Sequence, residues 1–360
     1  MAKTIERVLI YRLGSLGDTI VALPALRVVA RAFPGADRAY LTNIPVNAKA
    51  PAAAAVLENT GLVQRYLRYT VGTRSPRELL ALWWRIVRYR PQALVYLAAA
   101  RGVPTAKRDV AFFRLCGITK FYGAPLTEAL QENAYQPEYD ALEPEAEHLC
   151  RRIAELGEAR LGDPASWDMC LTPAELERGR AVLASADGRP VMAVSLGTKV
   201  QAKDWGRENW KTLLGEIAAR YPGYCLLLAG APEESEASEY AAEAWRAQAG
   251  AGPVVNVCGK LTLRETAAAF AQAKIFIGHD SGPMHLAATV QVPCVAIFAA
   301  RNIPRQWFPF GHQHRVLYHR VECWGCGLET CIEQQKKCLM SITVDEVMEA
   351  IIRMLASSKP

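Results

Sequence analysis

Residues 8–21 read VLIYRLGSLGDTIV, an apolar run that passes through a glycine-containing turn into a second apolar run. A strand, a glycine turn and a helix in this order are typical of the first unit of a parallel α/β sheet. Such turns often hold a phosphate at the start of the helix, but this one contains Asp18, whose charge would repel phosphate. The stretch predicts an α/β fold, and the role of the acid has to be explained.

Length and composition indicate a globular protein of two ordinary domains, with 360 residues, 51% hydrophobic and 22% charged. No stretch reaches the roughly 18 apolar residues of a spanning helix, and the first residues have no signal-peptide core, so we expect a cytoplasmic protein. Charge is unevenly distributed. Residues 1–120 contain 19 Lys and Arg against 6 Asp and Glu, a balance of +13, whereas the remainder carries −7. The first half is therefore expected to meet a polyanion.

Two series of strand-like and helical runs follow each other along the chain. The first has strands near 8–11, 38–42 and 93–97, and a helix in SPRELLALWWRIVRYRP, where Ser75 and Glu78 form a capping box and Pro76 suits the first turn. The second has strands near 191–197, 224–230, 254–259, 274–280 and 292–299. We expect Rossmann-like domains at 1–165 and 170–340, and a last helix at 343–357.

Ligands of open parallel sheets bind beyond the carboxyl ends of the strands, so the loops there are the candidate sites. In GHDSGPMHLAA, residues 278–288, Asp280 ends a strand, the following turn opens a helix that favours anions, and His285 could add a donor. Alternatively, Asp280 or Ser281 only caps that helix. In SLGTKVQAKDW, residues 195–205, Thr198 and Lys203 offer a hydroxyl and a cation to a diphosphate, although Lys203 could equally be a surface lysine.

Five segments together resemble glycosyltransferase family 9, whose best known members are ADP-heptose:lipopolysaccharide heptosyltransferases. They are RVLIYRLGSLGDTIVALPALRVVARAFPGA, GTKVQAKDW, LLLAGAPEE, GKLTLRE and FIGHDSGPMHLAA, within a resemblance that runs from about residue 6 to 350. The resemblance implies a GT-B fold, with two Rossmann-like domains whose parallel sheets face each other across a cleft. It also implies an acceptor on the first domain, a nucleotide sugar on the second, and inversion at the anomeric carbon without a catalytic metal.

The resemblance also implies roles for single residues. Asp18 matches the presumed general base that takes the proton of the acceptor hydroxyl; as an alternative, it is the N-cap of the helix before Thr19. On the donor side the expected contacts are to the diphosphate (Thr198, Lys203), the backbone cradle of a phosphate (Ser281, Gly282, Pro283), the sugar or phosphate (Asp280), the ribose (Glu234) and the adenine (Leu261). Position 199 is Lys where close lipopolysaccharide heptosyltransferases often have a small hydroxyl residue, which leaves the donor open.

The expected function is transfer of a heptose or related sugar from an ADP-linked donor to a lipopolysaccharide core or similar anionic, lipid-linked glycan. The expected setting is cytoplasmic, with peripheral contact at the inner membrane surface and no nucleic-acid partner. Two alternatives stay open: a heptosyltransferase with a protein acceptor, and a non-catalytic binder of nucleotide sugars or polyanions. A GT-B epimerase would need further acids and histidines. The arginines of the first half either attract the acceptor or serve only solubility.

Four cysteines lie within VECWGCGLETCIEQQKKCLM, at Cys323, Cys326, Cys331 and Cys338. Their C-x2-C-x4-C-x6-C spacing allows a tetrahedral Zn or Fe site that would hold the loop 323–338 together. Packed free thiols and a disulfide are the alternatives. The expected role is structural, so no catalytic cofactor is expected.

Overall fold

The computed structural model describes residues 4–43, 52–70 and 72–357. The chain divides into two compact units, Met1–Cys170 and Leu171–Pro360. Each unit has its own parallel sheet flanked by helices, which confirms the predicted class of two Rossmann-like α/β domains. Among the helices of the described residues, none combines the length and apolar composition needed to cross a membrane.

The first unit is built around five parallel strands. These strands are β1 (Arg7–Tyr11), β2 (Asp37–Asn43), β3 (Arg65–Tyr69), β4 (Ala93–Tyr96) and β5 (Lys120–Tyr122), and a short antiparallel pair consists of β6 (Tyr135–Gln136) and β7 (Ala141–Leu142). The helices are α1 (Leu16–Val21), α2 (Leu23–Ala32), α3 (Ala52–Leu57), α4 (Pro76–Tyr89), α5 (Val103–Leu115), α6 (Glu128–Gln131) and α7 (Glu145–Arg152). The sheet order is β3-β2-β1-β4-β5.

The second unit has six parallel strands. They are β8 (Val191–Ser195), β9 (Cys225–Leu228), β10 (Val254–Asn256), β11 (Ala273–His279), β12 (Cys294–Phe298) and β13 (Arg315–Tyr318). The helices are α8 (Pro173–Ala181), α9 (Arg207–Arg220), α10 (Ser235–Arg246), α11 (Leu263–Phe270), α12 (Gly282–Thr289), α13 (Lys337–Met340) and α14 (Val344–Ser357). The sheet order is β10-β9-β8-β11-β12-β13.

In each sheet the order in which successive strands are added reverses beside the first strand. In the first unit the chain runs outward from β1 to β2 and β3, and then returns to place β4 on the other side of β1. The second unit repeats this at β8, which lies between β9 and β11. Such switch points leave a crevice beyond the carboxyl ends of the two central strands, where ligands of open α/β sheets bind. The loops after β1, β4, β8 and β11 are therefore the places to look for a site.

The local sequence explains where the predicted helix α4 begins and which of its faces is buried. Pro76 occupies its first turn, and the Ser75 hydroxyl accepts a hydrogen bond from the Glu78 N–H at 3.5 Å. Leu82 and Ile86 are buried against the sheet, one turn apart on the same face. The helix ends at Arg90, whose φ of 55° is left-handed. Of the predicted capping box the structure contains the Ser75 half, and the inner apolar face is buried as predicted.

Candidate functional site

The acid of the first turn lies at the switch point of the first sheet. Asp18 is the third residue of α1, and its carboxylate accepts hydrogen bonds from the Ser15 N–H at 2.7 Å and the Ser15 hydroxyl at 2.8 Å. Ser15, and not Asp18, is the N-cap residue, so the alternative that made Asp18 the cap is wrong in that detail. The Asp18 side chain is 24% exposed. It is therefore both anchored to the turn and accessible to a reactant.

A buried arginine that the sequence analysis did not single out supports this turn. The Arg12 side chain is 1% exposed, and its guanidinium donates to the carbonyl oxygen of Asp18 at 3.0 and 3.3 Å and to that of Leu97, after β4, at 2.7 Å. One of its nitrogens lies 3.6 Å from the Asp18 carboxylate. Arg12 thus ties together both sides of the switch point and places a positive charge beside the acid.

Arg12 is itself neutralised from α7. Its guanidinium lies 3.3 Å from a carboxylate oxygen of Glu145, whose other oxygen lies 3.5 Å from Nδ1 of His148. Burial alone would raise the pKa of Glu145, but the neighbouring His148 ring and the charge of Arg12 hold that pKa below its ordinary value. The buried guanidinium therefore has an ionised partner, as buried charges require.

A cavity of about 550 Å³ opens at the carboxyl ends of β1, β2 and β3 in the same unit. Arg101 donates to the hydroxyl of Tyr11 at 3.1 Å and forms an ion pair with Asp109 at 2.8 Å, and the hydroxyls of Tyr11 and Tyr69 are 3.0 Å apart. Tyr96 donates to Asp109 at 2.9 Å. Further cationic and apolar side chains line the cavity, namely Arg74, Arg108, Leu41, Leu79, Leu82, Phe112 and Phe113. The cavity therefore combines arginines with an apolar wall.

Two of the residues predicted to contact the donor form an ion pair at the switch point of the second unit. The Lys203 ammonium lies 2.6 Å from the Asp280 carboxylate and donates to the Asp280 carbonyl at 3.3 Å. Asp280 directly follows β11, while Lys203 ends a 3-10 turn in the loop after β8. Both side chains are largely buried. Lys203 is thus not the freely solvated surface lysine of the alternative interpretation.

Next to this pair, α12 begins with the predicted phosphate cradle. Ser281 is its N-cap with extended backbone angles, and Gly282 and Pro283 form the first turn. Within the described residues the Ser281 hydroxyl is buried without a hydrogen-bond partner, and it makes no cap bond. His285, one turn later, is buried. Burial lowers the pKa of the nearby His314 to about 4, and the proximity of His285 acts in the same direction.

Glu234 lies over two glycines at the ends of adjacent strands. A Cβ atom at Gly197, after β8, or at Gly230, after β9, would overlap the Glu234 carboxyl group. The Glu234 carboxylate accepts a hydrogen bond from the Ala231 N–H at 2.9 Å, and burial raises its pKa. The two glycines therefore leave room for the Glu234 carboxylate at the carboxyl ends of the strands. This role of the glycines was not predicted from the sequence.

The remaining predicted donor residues lie along the same edge. Thr198 makes local hydrogen bonds of 3.3 and 3.4 Å with Val200, and Leu261 is half-buried in the turn between β10 and α11. His279 lies at the end of β11. It is fully buried, accepts a hydrogen bond from the Trp205 N–H at 3.1 Å, and has its pKa lowered to about 4 by burial. As a neutral acceptor it fixes the end of the Lys203 loop.

The cysteine-rich segment, residues 321–338, packs on that same loop. The Ala202 N–H donates to the Glu329 carbonyl at 3.0 Å, the Cys331 N–H to the Gln201 side chain at 2.9 Å, and the Lys336 ammonium to the Asp204 carbonyl at 2.6 Å. The segment therefore supports the loop that carries Lys203.

The structure does not assemble the predicted metal site from the four cysteines. Among the described residues, no three His, Cys, Asp or Glu side chains are placed to hold a metal ion. All ten cysteines are free thiols, which argues against the disulfide alternative. Burial raises the pKa of Cys338, and its charge interaction with the other three thiols of the segment adds to this. The thiols are neighbours, but they do not form a closed ligand set here.

Comparisons with known proteins agree with the fold. The model of glycosyltransferase family 9 (heptosyltransferase) matches residues 111–337. The chain is 26% identical over 341 residues to lipopolysaccharide heptosyltransferase 1 of Pseudomonas aeruginosa, covering 91% of this chain and 88% of the relative. It is 33% identical over 106 residues to lipooligosaccharide heptosyltransferase 2 of Campylobacter jejuni, of which it spans 33%, while the match covers 29% of this chain.

Among solved structures, the chain is similar to the heptosyltransferase WaaC of E. coli, solved with ADP-2-deoxy-2-fluoro heptose. The TM-score is 0.65 at 20% sequence identity, covering 96% of this chain and 99% of that one. At this identity the likeness establishes a shared fold.

Proposed function

Since the chain belongs to glycosyltransferase family 9 (heptosyltransferase), we propose that it transfers a heptose or related sugar from an ADP-linked donor to an anionic, lipid-linked glycan of the lipopolysaccharide type, with inversion at the anomeric carbon. The observation that carries the proposal is the accessible carboxylate of Asp18, held by Ser15 and Arg12 at the switch point of the first sheet. A protein that only binds anions has no use for an acid there.

In the proposed reaction Asp18 is the general base. Its carboxylate accepts the proton of the acceptor hydroxyl while the oxygen of that hydroxyl bonds to the anomeric carbon. The bond from this carbon to the ADP oxygen breaks, and ADP leaves with the electron pair. A base of this kind typically contributes about a hundredfold or more to the rate. Attack opposite the leaving group inverts the configuration.

The donor's diphosphate is assigned to the second unit. Lys203 supplies a cation whose attraction grows as negative charge develops on the leaving ADP. At the N-terminus of α12, Ser281 and Gly282 supply N–H donors for a phosphate, while Pro283, which has no N–H, fixes the first turn. Because Lys203 is paired with Asp280 at 2.6 Å, a bound diphosphate has to share the ammonium with that carboxylate. Glu234 is assigned to the ribose, Leu261 to the adenine, and Thr198 and His285 to the phosphates.

The acceptor is assigned to the arginine-lined cavity of the first unit. Arg101 is held in place by Asp109 and Tyr11, while Arg74 and Arg108 extend toward solvent on the same rim. Guanidinium groups bind carboxylates and phosphates with two hydrogen bonds, which suits an acidic sugar or a phosphorylated glycan. The proposed reaction uses no metal ion. A structural Zn or Fe ion at the four cysteines stays a prediction. Elemental analysis of protein that has been prepared without chelator would test it.

The proposal is tested by acceptor-dependent release of ADP. Purified protein is incubated with ADP-heptose or with UDP- and GDP-linked sugars, with and without a lipopolysaccharide core acceptor that lacks heptose, and the anomeric configuration of the product is read by NMR. We expect turnover with the ADP-linked heptose only when the acceptor is present, and an inverted product. Retention of configuration, or turnover that needs a protein acceptor instead, would contradict it.

A further inference from the structure

The outer face of α4 exposes large apolar side chains that the core does not use. Helical spacing places Arg77, Leu80, Trp84 and Arg88 together on this face. Leu80 is 63% exposed and Trp84 is 57% exposed. The opposite face of the same helix is buried against the sheet, so α4 is apolar on two sides, and only one of them is explained by folding.

A residue at the end of α5 extends this surface. Leu115 is 76% exposed, and its carbonyl oxygen accepts a hydrogen bond from the Trp83 indole at 3.0 Å. The rings of Trp83 and Trp84 lie 6.3 Å apart. Leu80, Trp83, Trp84 and Leu115 therefore form one continuous surface, which we call the tryptophan patch.

The tryptophan patch is bordered by arginines. On α4, Arg77 and Arg88 lie at either end of the patch, about 16 Å apart along the helix axis, and both are exposed. Arg114, next to Leu115, is exposed as well. They belong to the part of the chain, residues 1–120, that carries a balance of +13. The surface thus has an apolar aromatic centre and a cationic rim.

This combination matches the surface of an anionic bilayer. Tryptophan is favoured at the level of the lipid headgroups, because its ring is apolar and its indole N–H stays hydrogen-bonded. Arginines on the rim are attracted by the negative headgroup charge. A surface helix of this kind lies in the plane of the interface with its apolar side chains among the upper acyl chains. A nucleic acid would match the charge but not the aliphatic side chains.

We propose that the tryptophan patch and its arginine rim seat the first unit on an anionic phospholipid surface. The position of α4 supports this, because Leu79 and Leu82 of the same helix line the arginine-lined cavity assigned to the acceptor. A lipid-linked acceptor in that surface would have its sugar head next to the cavity. The proposal extends the proposed function, but lipid binding is measured without turnover, so either can fail while the other holds.

The test uses the whole protein and sedimentation with vesicles of phosphatidylcholine alone or mixed with phosphatidylglycerol. We expect binding to the anionic vesicles only. Each basic residue near such a surface changes binding about fivefold, so Arg77→Glu/Arg88→Glu should lower the partition coefficient roughly twentyfold or more. Leu80→Ser/Trp84→Ser should lower it about tenfold or more by removing the apolar insertion.

Matched controls lie in the second unit, where Arg178→Glu/Arg220→Glu makes the same charge change and Ile332→Ser removes an apolar side chain that is more exposed than Leu80 or Trp84. These variants should bind anionic vesicles as the wild type does. The proposal is overturned if the patch and rim variants bind no worse than the controls, or if phosphatidylcholine alone binds equally well. A wild-type dimer in analytical ultracentrifugation that Leu80→Ser/Trp84→Ser abolishes would also overturn it, because the patch would then belong to a second copy of the chain.

Discussion

Gly14 and Asp18 are packed against each other so closely that the glycine has no room for a side chain. A Cβ atom on Gly14 would lie 2.6 Å from Oδ2 of Asp18 and closer still to its Cβ and Cγ, and the φ angle of Gly14 is +135°. The turn after β1 is therefore shaped around the carboxylate. The same holds in the second unit, where Gly197 after β8 leaves room for Glu234.

Replacing Gly14 by alanine should damage both stability and activity. The new methyl group overlaps Asp18, and the backbone angle is one that only glycine adopts easily, which together should cost about 1–3 kcal/mol or more. Thermal unfolding and steady-state turnover measure the two effects. Gly35→Ala is the matched control, since a Cβ atom there meets nothing within 4 Å. Equal stability of the two variants would show that the turn can open without cost.

Asp18→Asn should leave ADP affinity unchanged and lower kcat about a hundredfold or more, since the amide cannot accept the proton of the acceptor hydroxyl. The amide can keep a hydrogen bond from Ser15, so the turn should remain folded. Calorimetry with ADP and turnover under saturating donor and acceptor separate the two effects. Near wild-type kcat in this variant would remove Asp18 from the proposed mechanism.

Arg12→Lys should lower kcat by roughly ten- to a hundredfold without changing ADP affinity. Lysine keeps the charge that Glu145 needs, but it cannot bridge the carbonyl oxygens of Asp18 and Leu97 with a planar fork, and small misplacements of a reacting group are costly. Arg152→Lys is the control, because Arg152 is a buried arginine of the same unit that also binds backbone carbonyl oxygens. If both variants lower kcat equally, the loss results from replacing any buried arginine of this unit and not from a change in the position of Asp18.

The long buried strands and the loops after them could be predicted because apolar runs and glycine turns alternate in sequence. The edge strands β3, β5 and β13 and the antiparallel pair β6–β7 were not predicted, because they are short and their sequences lack the long apolar runs of the central strands. The contacts that hold the site together were not predictable in the same way. Arg12 meets Glu145 across 133 residues, and no local pattern connects the two.

In the proposed donor site, too, contacts between residues that are distant in sequence could not be predicted. Lys203 and Asp280 were each predicted to contact the donor, but their pairing depends on β8 and β11 being neighbours in the sheet. Likewise the cysteine spacing is visible in sequence, whereas the contact of Cys331 and Lys336 with the Lys203 loop is set by tertiary packing. The sequence therefore suggested candidate site residues but not which of them contact each other.

Lys203→Met should weaken ADP binding and also destabilise the second unit. A charge-assisted contact to a diphosphate is worth about 1.5–3 kcal/mol, and loss of the ammonium leaves Asp280 buried without its partner. The double variant Lys203→Met/Asp280→Asn should recover the stability but not the affinity. Lys199→Met, on the same loop and exposed, is the control for charge alone. Calorimetry with ADP that gives equal affinities for wild type and Lys203→Met would exclude a diphosphate contact.

The second unit should lose stability as the pH falls from about 6.5 to about 4, because of two buried histidines. Burial lowers the pKa values of His279 and His314 to about 4 in the folded protein, whereas an unfolded histidine titrates near 6.5. Between pH 4 and pH 6.5 the unfolded state binds more protons than the folded state. The free energy of unfolding therefore rises with pH across this window and is constant above it.

A shift of this size corresponds to roughly 3 kcal/mol per histidine over the whole window. Urea unfolding at pH 7.5 and at pH 5, followed by tryptophan fluorescence, measures the difference on wild type. His279→Gln keeps an acceptor for the Trp205 N–H but does not titrate, so its stability should depend on pH less steeply than that of the wild type. His312→Gln is the control, since His312 is exposed and its replacement should leave the pH dependence unchanged. If His279→Gln and wild type lose stability in parallel between pH 7.5 and pH 5, His279 takes up its proton without leaving its place beside Trp205, and the neutral-acceptor role assigned to it is wrong.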